Sequence, residues 1–241
     1  MTSLWFCTPA WERYDLSEIV FEQRRWAIDR LVELGVEASC VVVADDRNLG
    51  LAREQGFATI DRDNRYLGRR FNDAYQFAAA EGVDYVCPIG SDSWVDPLSV
   101  FAILEAVSDL EIGASRNYSV VDRDGLRRTD CFVNWRWTLA AIPTELLRPA
   151  AWRPCDERIR KGCDTSMMKS LERAGRVRHR YAERHQLELV AFQSDVQITS
   201  FDRLHAKWGC GAIVEEPFSG LAEVYPPAFV DRVEALYEAR R

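Results

Sequence analysis

Residues 1–97 alternate two hydrophobic patterns, and no other feature limits the possible folds as much. Short apolar or β-branched runs at Ser3 to Cys7, Cys40 to Ala44, Phe57 to Ile60 and Tyr85 to Ile89 have the length of buried strands. Between them, Leu16 to Leu34 carries apolar residues at helical spacing (Ile19, Val20, Trp26, Ile28, Leu31, Val32), and Leu67 to Ala80 reads as a further helix. Gly35 and Gly82 stop these two helices, and Asn48 is placed to cap a shorter one through Gln55. Strands that alternate with helices join in right-handed units, giving a mainly parallel sheet covered on both faces. A Rossmann-like half is expected.

After Pro97 the pattern changes. Leu98 to Val107 reads as a helix, Ile112 to Val121 as one alternating strand, and Asp122-Arg123-Asp124-Gly125 as a turn into a return strand through Phe132. Thr138 to Ile142 is a short apolar run, Thr165 to Ala174 a helix with Asp164 as N-cap, Leu187 to Phe192 a strand, and Pro226 to Arg241 a closing amphipathic helix. These segments add antiparallel pieces to the sheet. No repeat, low-complexity tract or linker interrupts the chain, so the expected organisation is one α/β domain over 1–241, divided near residue 97.

Composition narrows the classes. With 47% apolar residues the chain can build a core without staples, and its formal charge of −7 opposes uniform attraction to nucleic acid or an anionic membrane. Seven scattered cysteines without a CxxC pair suit reduced, buried thiols better than disulfides or zinc. No segment has membrane-span length, and Met1 to Ala10 lacks signal-peptide features, so a cytoplasmic protein is expected.

The stretch Tyr85 to Pro97, YVCPIGSDSWVDP, is where chemistry is expected. Its strand ends in small polar residues around Asp92, and open α/β sheets bind ligands just beyond the carboxyl ends of their strands. Asp92 can hold a cation against a phosphate-bearing substrate, or it can cap the helix that starts near Pro97. Asp45 and Asp46 follow the strand at Val41; they can bond a ribose hydroxyl or a base edge, or cap a helix. Neither GxGxxG nor GxxxxGK[ST] is present, so a nucleotide is held by other means. A divalent metal at Asp92 would neutralise a diphosphate, with Arg13 or Arg69 as supplementary cations, although Arg69 also fits a solvated helix face.

Several of these stretches occur in a telling order. Thr8-Pro9-Ala10-Trp11-Glu12-Arg13 is followed by Val41 to Asp46, by Asn64-Arg65-Tyr66-Leu67-Gly68 with Asn72, by Asp84-Tyr85-Val86, and by Gly90-Ser91-Asp92-Ser93-Trp94 with Pro97. The succession resembles a family 2-type glycosyltransferase of the GT-A fold, in particular the compact enzymes of bacteria and their viruses; it extends more weakly to Gly162-Cys163-Asp164-Thr165. The resemblance implies a nucleotide-sugar donor, a UDP-sugar for preference, Mn²⁺ or Mg²⁺, and inverting displacement. By position it implies that Thr8, Pro9, Arg13, Asp45, Asp46, Arg69, Asn72, Ser91 and Asp92 contact the donor and that Asp164 is the general base. Asp92 matches the last carboxylate of the family's metal motif, but Gly90 stands at the first and Ser93 at a frequent further one. His205 is the candidate for an additional metal ligand, or an ordinary surface histidine.

The acceptor side carries a charge bias. From Arg148 to Arg184 there are eleven basic residues against five acidic ones, within a chain of net charge −7. That segment suits a polyanion, such as DNA bearing a hydroxymethylated base, or it is a solvated surface. Protein, lipid and sugar acceptors stay open, as does a non-catalytic nucleotide-sugar or nucleic-acid binding protein on the same fold.

Overall fold

The computed structural model describes residues 1–45, 47–108, 110–115, 117–122, 125–129, 131–132, 139–160, 163–174, 177–182, 184, 187–192, 209–210 and 213–239. Strands β1 (Ser3–Pro9), β2 (Glu37–Ala44), β3 (Ala58–Asp61) and β4 (Tyr85–Pro88) alternate with helices α1 (Tyr14–Glu33), α2 (Arg47–Glu54) and α3 (Leu67–Ala80). There follow β5 (Ser93–Val95), α4 (Pro97–Ala106), β6 (Glu111–Ser115), β7 (Tyr118–Asp122), β8 (Gly125–Thr129), β9 (Cys131–Phe132) and β10 (Leu139–Pro143). After a 3₁₀ segment, Thr144–Ala150, come α5 (Cys163–Ala174), β11 (Arg178–Tyr181), β12 (Leu189–Phe192), β13 (Gly209–Cys210), β14 (Val214–Glu216), a second 3₁₀ segment and α6 (Pro227–Glu238).

The main sheet has the order β11-β6-β10-β4-β1-β2-β3. Strands β1 to β4 are parallel, β10 runs against both its neighbours, and β6 and β11 again follow the direction of β1. All strands except β10 therefore end at one edge. A second sheet, β14-β8-β7-β12-β5, is mostly antiparallel. This mixed, mainly parallel sheet with helices on both faces is the α/β architecture that the alternating strand and helix patterns imply. Successive side chains alternate between two cores: Leu4, Phe6, Val42 and Cys87 pack with α1, while Val41, Val43 and Val86 pack with α3 and α5. Because both faces are buried, these strands read as unbroken apolar runs. The thiols of Cys7, Cys40, Cys87, Cys155 and Cys163 are free and buried. Burial pushes the pKa of Cys40 up to about 11 and that of Cys87 up to about 12.

Four local expectations are corrected. Ile112 to Val121 is not one strand: it divides into β6 and β7, which belong to different sheets. The division is chemical. Ser115 Oγ and Asn117 Nδ2 both donate to the fully buried carboxylate of Glu188, a polar anchor between the two strands. The cap of α4 is Asp96, whose carboxylate accepts from Leu98 N at 3.2 Å and Ser99 N at 2.8 Å; Asp92 does not cap it. Asn48 lies inside α2 and donates to the Glu12 carbonyl at 3.4 Å. Helix α5 begins at Cys163, which puts Asp164 in its first turn rather than at the N-cap.

No helix among the described residues is long and apolar enough to cross a membrane. The capping assignment separates the two aspartates. Asp96→Ala is expected to lower stability by about 1–2 kcal/mol, and Asp92→Ala by less than about 1 kcal/mol; urea unfolding of both variants checks this.

Candidate active site

The carboxyl edge of the sheet is entered through the loop after β1. Ala10 N donates to Val43 O at 3.0 Å, tying the loop to β2, and Arg70 Nη1 from α3 donates to the Ala10 carbonyl at 2.6 Å. The Glu12 carbonyl accepts from Asn48 Nδ2 of α2 and from Ser17 Oγ of α1, each at 3.4 Å. Between these ties, Glu12 and Arg13 are successive non-glycine residues in the left-handed region, with φ of 47° and 51°. Such a conformation costs on the order of 1 kcal/mol or more per residue, and it persists where surrounding structure over-determines it. Its product is the aim of Arg13. Nη1 of that residue meets Asp92 Oδ2 at 2.9 Å, with the two side chains 23% and 19% exposed.

Asp92 is set from three sides. Ser93 Oγ lies 3.2 Å from Oδ1, and the Asp92 carbonyl accepts from Phe192 N at 2.7 Å. A Cβ added at Gly90 would stand 2.4 Å from Oδ1, so the carboxylate leans over the space that glycine leaves. Ser91 beside it is buried. Beneath the turn, the fully buried Arg24 donates to the Ser93 carbonyl at 2.8 Å and stacks over the Phe6 ring at 4.8 Å. Burial lowers the Arg24 pKa, while the thiols of Cys40 and Cys87, Tyr225 and Asp92 pull it back up. Nε and Nη1 of Arg24 have no partner among the described residues.

Near the ends of β1 and β2, Arg70 is only 4% exposed, and its Nε has no hydrogen-bond partner among the described residues. Burial lowers its pKa, and the largest opposing influence is the charge of the half-buried Asp45. Asp46 and His205 lie outside the described residues. Thr8 and Pro9 are buried at the end of β1, and Thr8 Oγ1 lies 3.7 Å from the Cys40 thiol. The sequence points to Arg69, which is half-buried; its neighbour Arg70 is the residue that reaches the loop. A signal exists for both missed arginines. Arg70 shares a helical stripe with Ala74 and Ala78, and Arg24 shares one with Phe21, Ile28 and Leu31, so each occupies a position where an apolar residue is the rule.

Asn72 is fully buried with both ends of its amide engaged: Nδ2 donates to Cys155 O at 2.8 Å and Oδ1 accepts from Cys155 N at 2.9 Å. One helical turn before it, Gly68 donates to Ile159 O, and a Cβ there would stand 2.0 Å from the Asp156 carbonyl oxygen. One turn after it, Gln76 donates to Ala151 O at 3.2 Å. This stripe of α3 fastens the chain ahead of α5 to the first half. Helix α5 leads into β11, which runs with β1, so α5 runs the other way and its first turn, with Asp164, starts from the carboxyl edge.

Within the basic segment, several cations have partners. Arg148 pairs with Glu145 at 2.9 Å, Arg153 with Asp73 and Glu157, and Arg184 Nη1 donates to Leu98 O. A metal at Asp92 fits poorly. Hard divalent cations take about six oxygen ligands, whereas Asp92 is the single carboxylate of the Gly90 to Ser93 turn and its Oδ2 is paired with the Arg13 guanidinium. No group of three or more His, Cys, Asp or Glu able to hold a metal occurs among the described residues.

No protein-family model matches the chain, and no curated protein matches it in sequence. Solved structures do resemble it. The catalytic domain of Drosophila β1,4-galactosyltransferase 7 with xylobiose aligns at a TM-score of 0.47 and 12% identity, over 74% of this chain but 65% of its own length. A mutant of that enzyme in complex with manganese, UDP-Gal and xylobiose aligns at 0.48 and 12%, over 88% of this chain and 76% of its own. A glycosyltransferase involved in glycosylation of the major capsid of PBCV-1 aligns at 0.49 and 9%, over 86% and 98%. The inositol-1-phosphate CTP transferase of T. maritima aligns at 0.46 and 11%, over 87% and 98%. At these identities the likeness is one of chain course.

Asn72→Ala strands the buried Cys155 N–H and carbonyl. It is expected to cost about 2–4 kcal/mol in denaturant unfolding with no ligand present.

Proposed function

We propose that the chain is a glycosyltransferase, moving a sugar from a nucleotide-sugar donor, a UDP-sugar for preference, to an acceptor hydroxyl. The observation that carries the reading is the Arg13–Asp92 pair, delivered by a strained and pinned loop to the edge of a parallel sheet. A strained conformation held by bonds from α1, α2, α3 and β2 is expensive, and it earns its keep where a ligand must be met at a set place.

In this reading residues 1–97 hold the donor. Asp45 accepts from the base or ribose, and the guanidinium of Arg70 supplies donors beside it. Trp11, 39% exposed on the same loop, offers an indole face to the base. Arg13, with Arg69, faces the diphosphate. Residues 98–241 hold the acceptor. Asp164 takes the proton of the acceptor hydroxyl as its oxygen attacks the anomeric carbon, and the bond from that carbon to the diphosphate breaks, so the nucleoside diphosphate leaves with the electron pair. Attack opposite the leaving group inverts the centre. The position of α5 supports this role, since a helix N-terminus favours an ionised carboxylate in its first turn.

A nucleotidyltransferase reading has less support, because the loop from Thr8 to Arg13 contains no glycine to let backbone approach phosphates. A donor-binding protein without turnover is the second reading, favoured by the single carboxylate at the metal position. The charge of segment 148–184 favours a polyanionic acceptor such as DNA with a hydroxymethylated base, though the internal pairing of Arg148, Arg153 and Arg184 leaves fewer cations for it.

Two measurements test the proposal. In a thermal-shift panel of UDP-, GDP-, CMP- and dTDP-sugars, one donor is expected to raise the melting temperature by mass action; no rise with any donor opposes the reading. With the donor so identified, Asp164→Asn is expected to lower turnover by about 100-fold or more at unchanged donor affinity. Absence of turnover in the parent protein as well supports the binding reading.

A further inference from the structure

We propose that Arg13, anchored by Asp92, supplies the positive charge that faces the leaving diphosphate, and that Asp92 serves as the seat of this guanidinium rather than as the ligand of a divalent cation. The inference rests on the nucleotide-sugar reading and concerns how the same site manages the charge of the leaving group.

Four features of the site converge on it. Asp92 already has a cationic partner, its Oδ2 accepting from Arg13 Nη1 at 2.9 Å, and Ser93 Oγ fixes its other oxygen at 3.2 Å. The carboxylate leans over Gly90, where an added Cβ would lie 2.4 Å from Oδ1, so the spot from which a second carboxylate would extend is taken by the first. The fully buried Arg24 lies within electrostatic reach of Asp92. A dication on Asp92 would thus sit against the Arg13 guanidinium that the carboxylate already holds, and like charges at contact range repel. Finally, the two left-handed residues Glu12 and Arg13, tied down through Ala10 and Glu12, spend conformational energy on aiming one side chain.

Arg13 is suited to the task. A guanidinium carries five N–H donors in a planar fork that matches phosphate oxygens, and the bond to Asp92 engages one of its nitrogens. Its side chain is 23% exposed, so it is not wholly enclosed while it meets Asp92. When the bond from the anomeric carbon breaks, negative charge grows on the diphosphate oxygen that receives the electron pair. Arg13 donates hydrogen bonds to that oxygen, and no proton changes hands there.

The test is calorimetric titration of the full chain with UDP, GDP, CDP and dTDP and with the matching nucleosides, in EDTA and in Mn²⁺. The expected result is a nucleoside diphosphate whose affinity in EDTA lies within about threefold of that in Mn²⁺. Arg13→Gln is expected to weaken that diphosphate by about tenfold or more and to leave the nucleoside unchanged; Arg13→Lys recovers part of the loss. A thermal melt of each variant confirms that it is folded. Diphosphate affinity that falls tenfold or more in EDTA, or an Arg13→Gln variant that binds like the parent, overturns the inference and leaves the donor reading standing. If no nucleoside or diphosphate binds under either condition, the donor reading falls and this inference with it. A direct readout needs no nucleotide: titration of Mn²⁺ followed by electron paramagnetic resonance is expected to leave the free-ion signal intact, and stoichiometric uptake abolished by Asp92→Asn overturns the proposal.

Discussion

The site depends on how the chain leaves its first strand. Between Ala10 and Arg13 the backbone turns through two left-handed residues that have a Cβ to accommodate, and nothing within those four residues favours that path. The ties come from elsewhere: a β2 carbonyl, a hydroxyl on α1, an amide on α2 and a guanidinium on α3. Each is a modest hydrogen bond, worth about 1 kcal/mol net, and together they match the strain. Since every tie rests on a different element, the direction of Arg13 is a property of the assembled sheet and its helices. The pair with Asp92 follows from that direction, and it links the turns after β1 and β4 across the edge where a ligand would lie.

A second theme is the use of buried arginine. Arg24 supports the turn at Ser93 from below and Arg70 supports the loop at Ala10 from the side, each through one backbone carbonyl. Burial makes a charge costly unless it is paired or bonded; the charge of Asp45 offsets part of that cost for Arg70 and that of Asp92, more weakly, for Arg24. The arrangement puts fixed positive charge at a sheet edge in a chain whose net charge is −7. An anionic ligand is thereby favoured locally, whatever the whole molecule repels.

Much of the architecture was readable from the pattern of residues. The four parallel strands and the helices between them follow from periodicity and from Gly35 and Gly82, because local sterics and the burial of both faces act over a few residues at a time. The polar triplet Ser115-Arg116-Asn117 interrupts the apolar pattern, but what holds the break, Glu188, lies far along the chain. Capping was misassigned for the same kind of reason. Asp92 and Asp96 both precede Pro97, and only the path of the chain decides which carboxylate reaches the first amides of α4. Asn72 looks like a site residue in the motif, yet its amide is closed on Cys155 across a contact that Gly68 makes close.

The residues themselves thus settled the class of fold, because hydrophobic period and turn chemistry are local. They also settled that only one carboxylate stands in the Gly90 to Ser93 turn. Folding in three dimensions settled what that carboxylate touches. Arg13, Asp92 and Arg24 come together only when β1, β4 and α1 are stacked, since their contacts join residues some seventy or eighty positions apart, and no pattern along the chain encodes a distance through space.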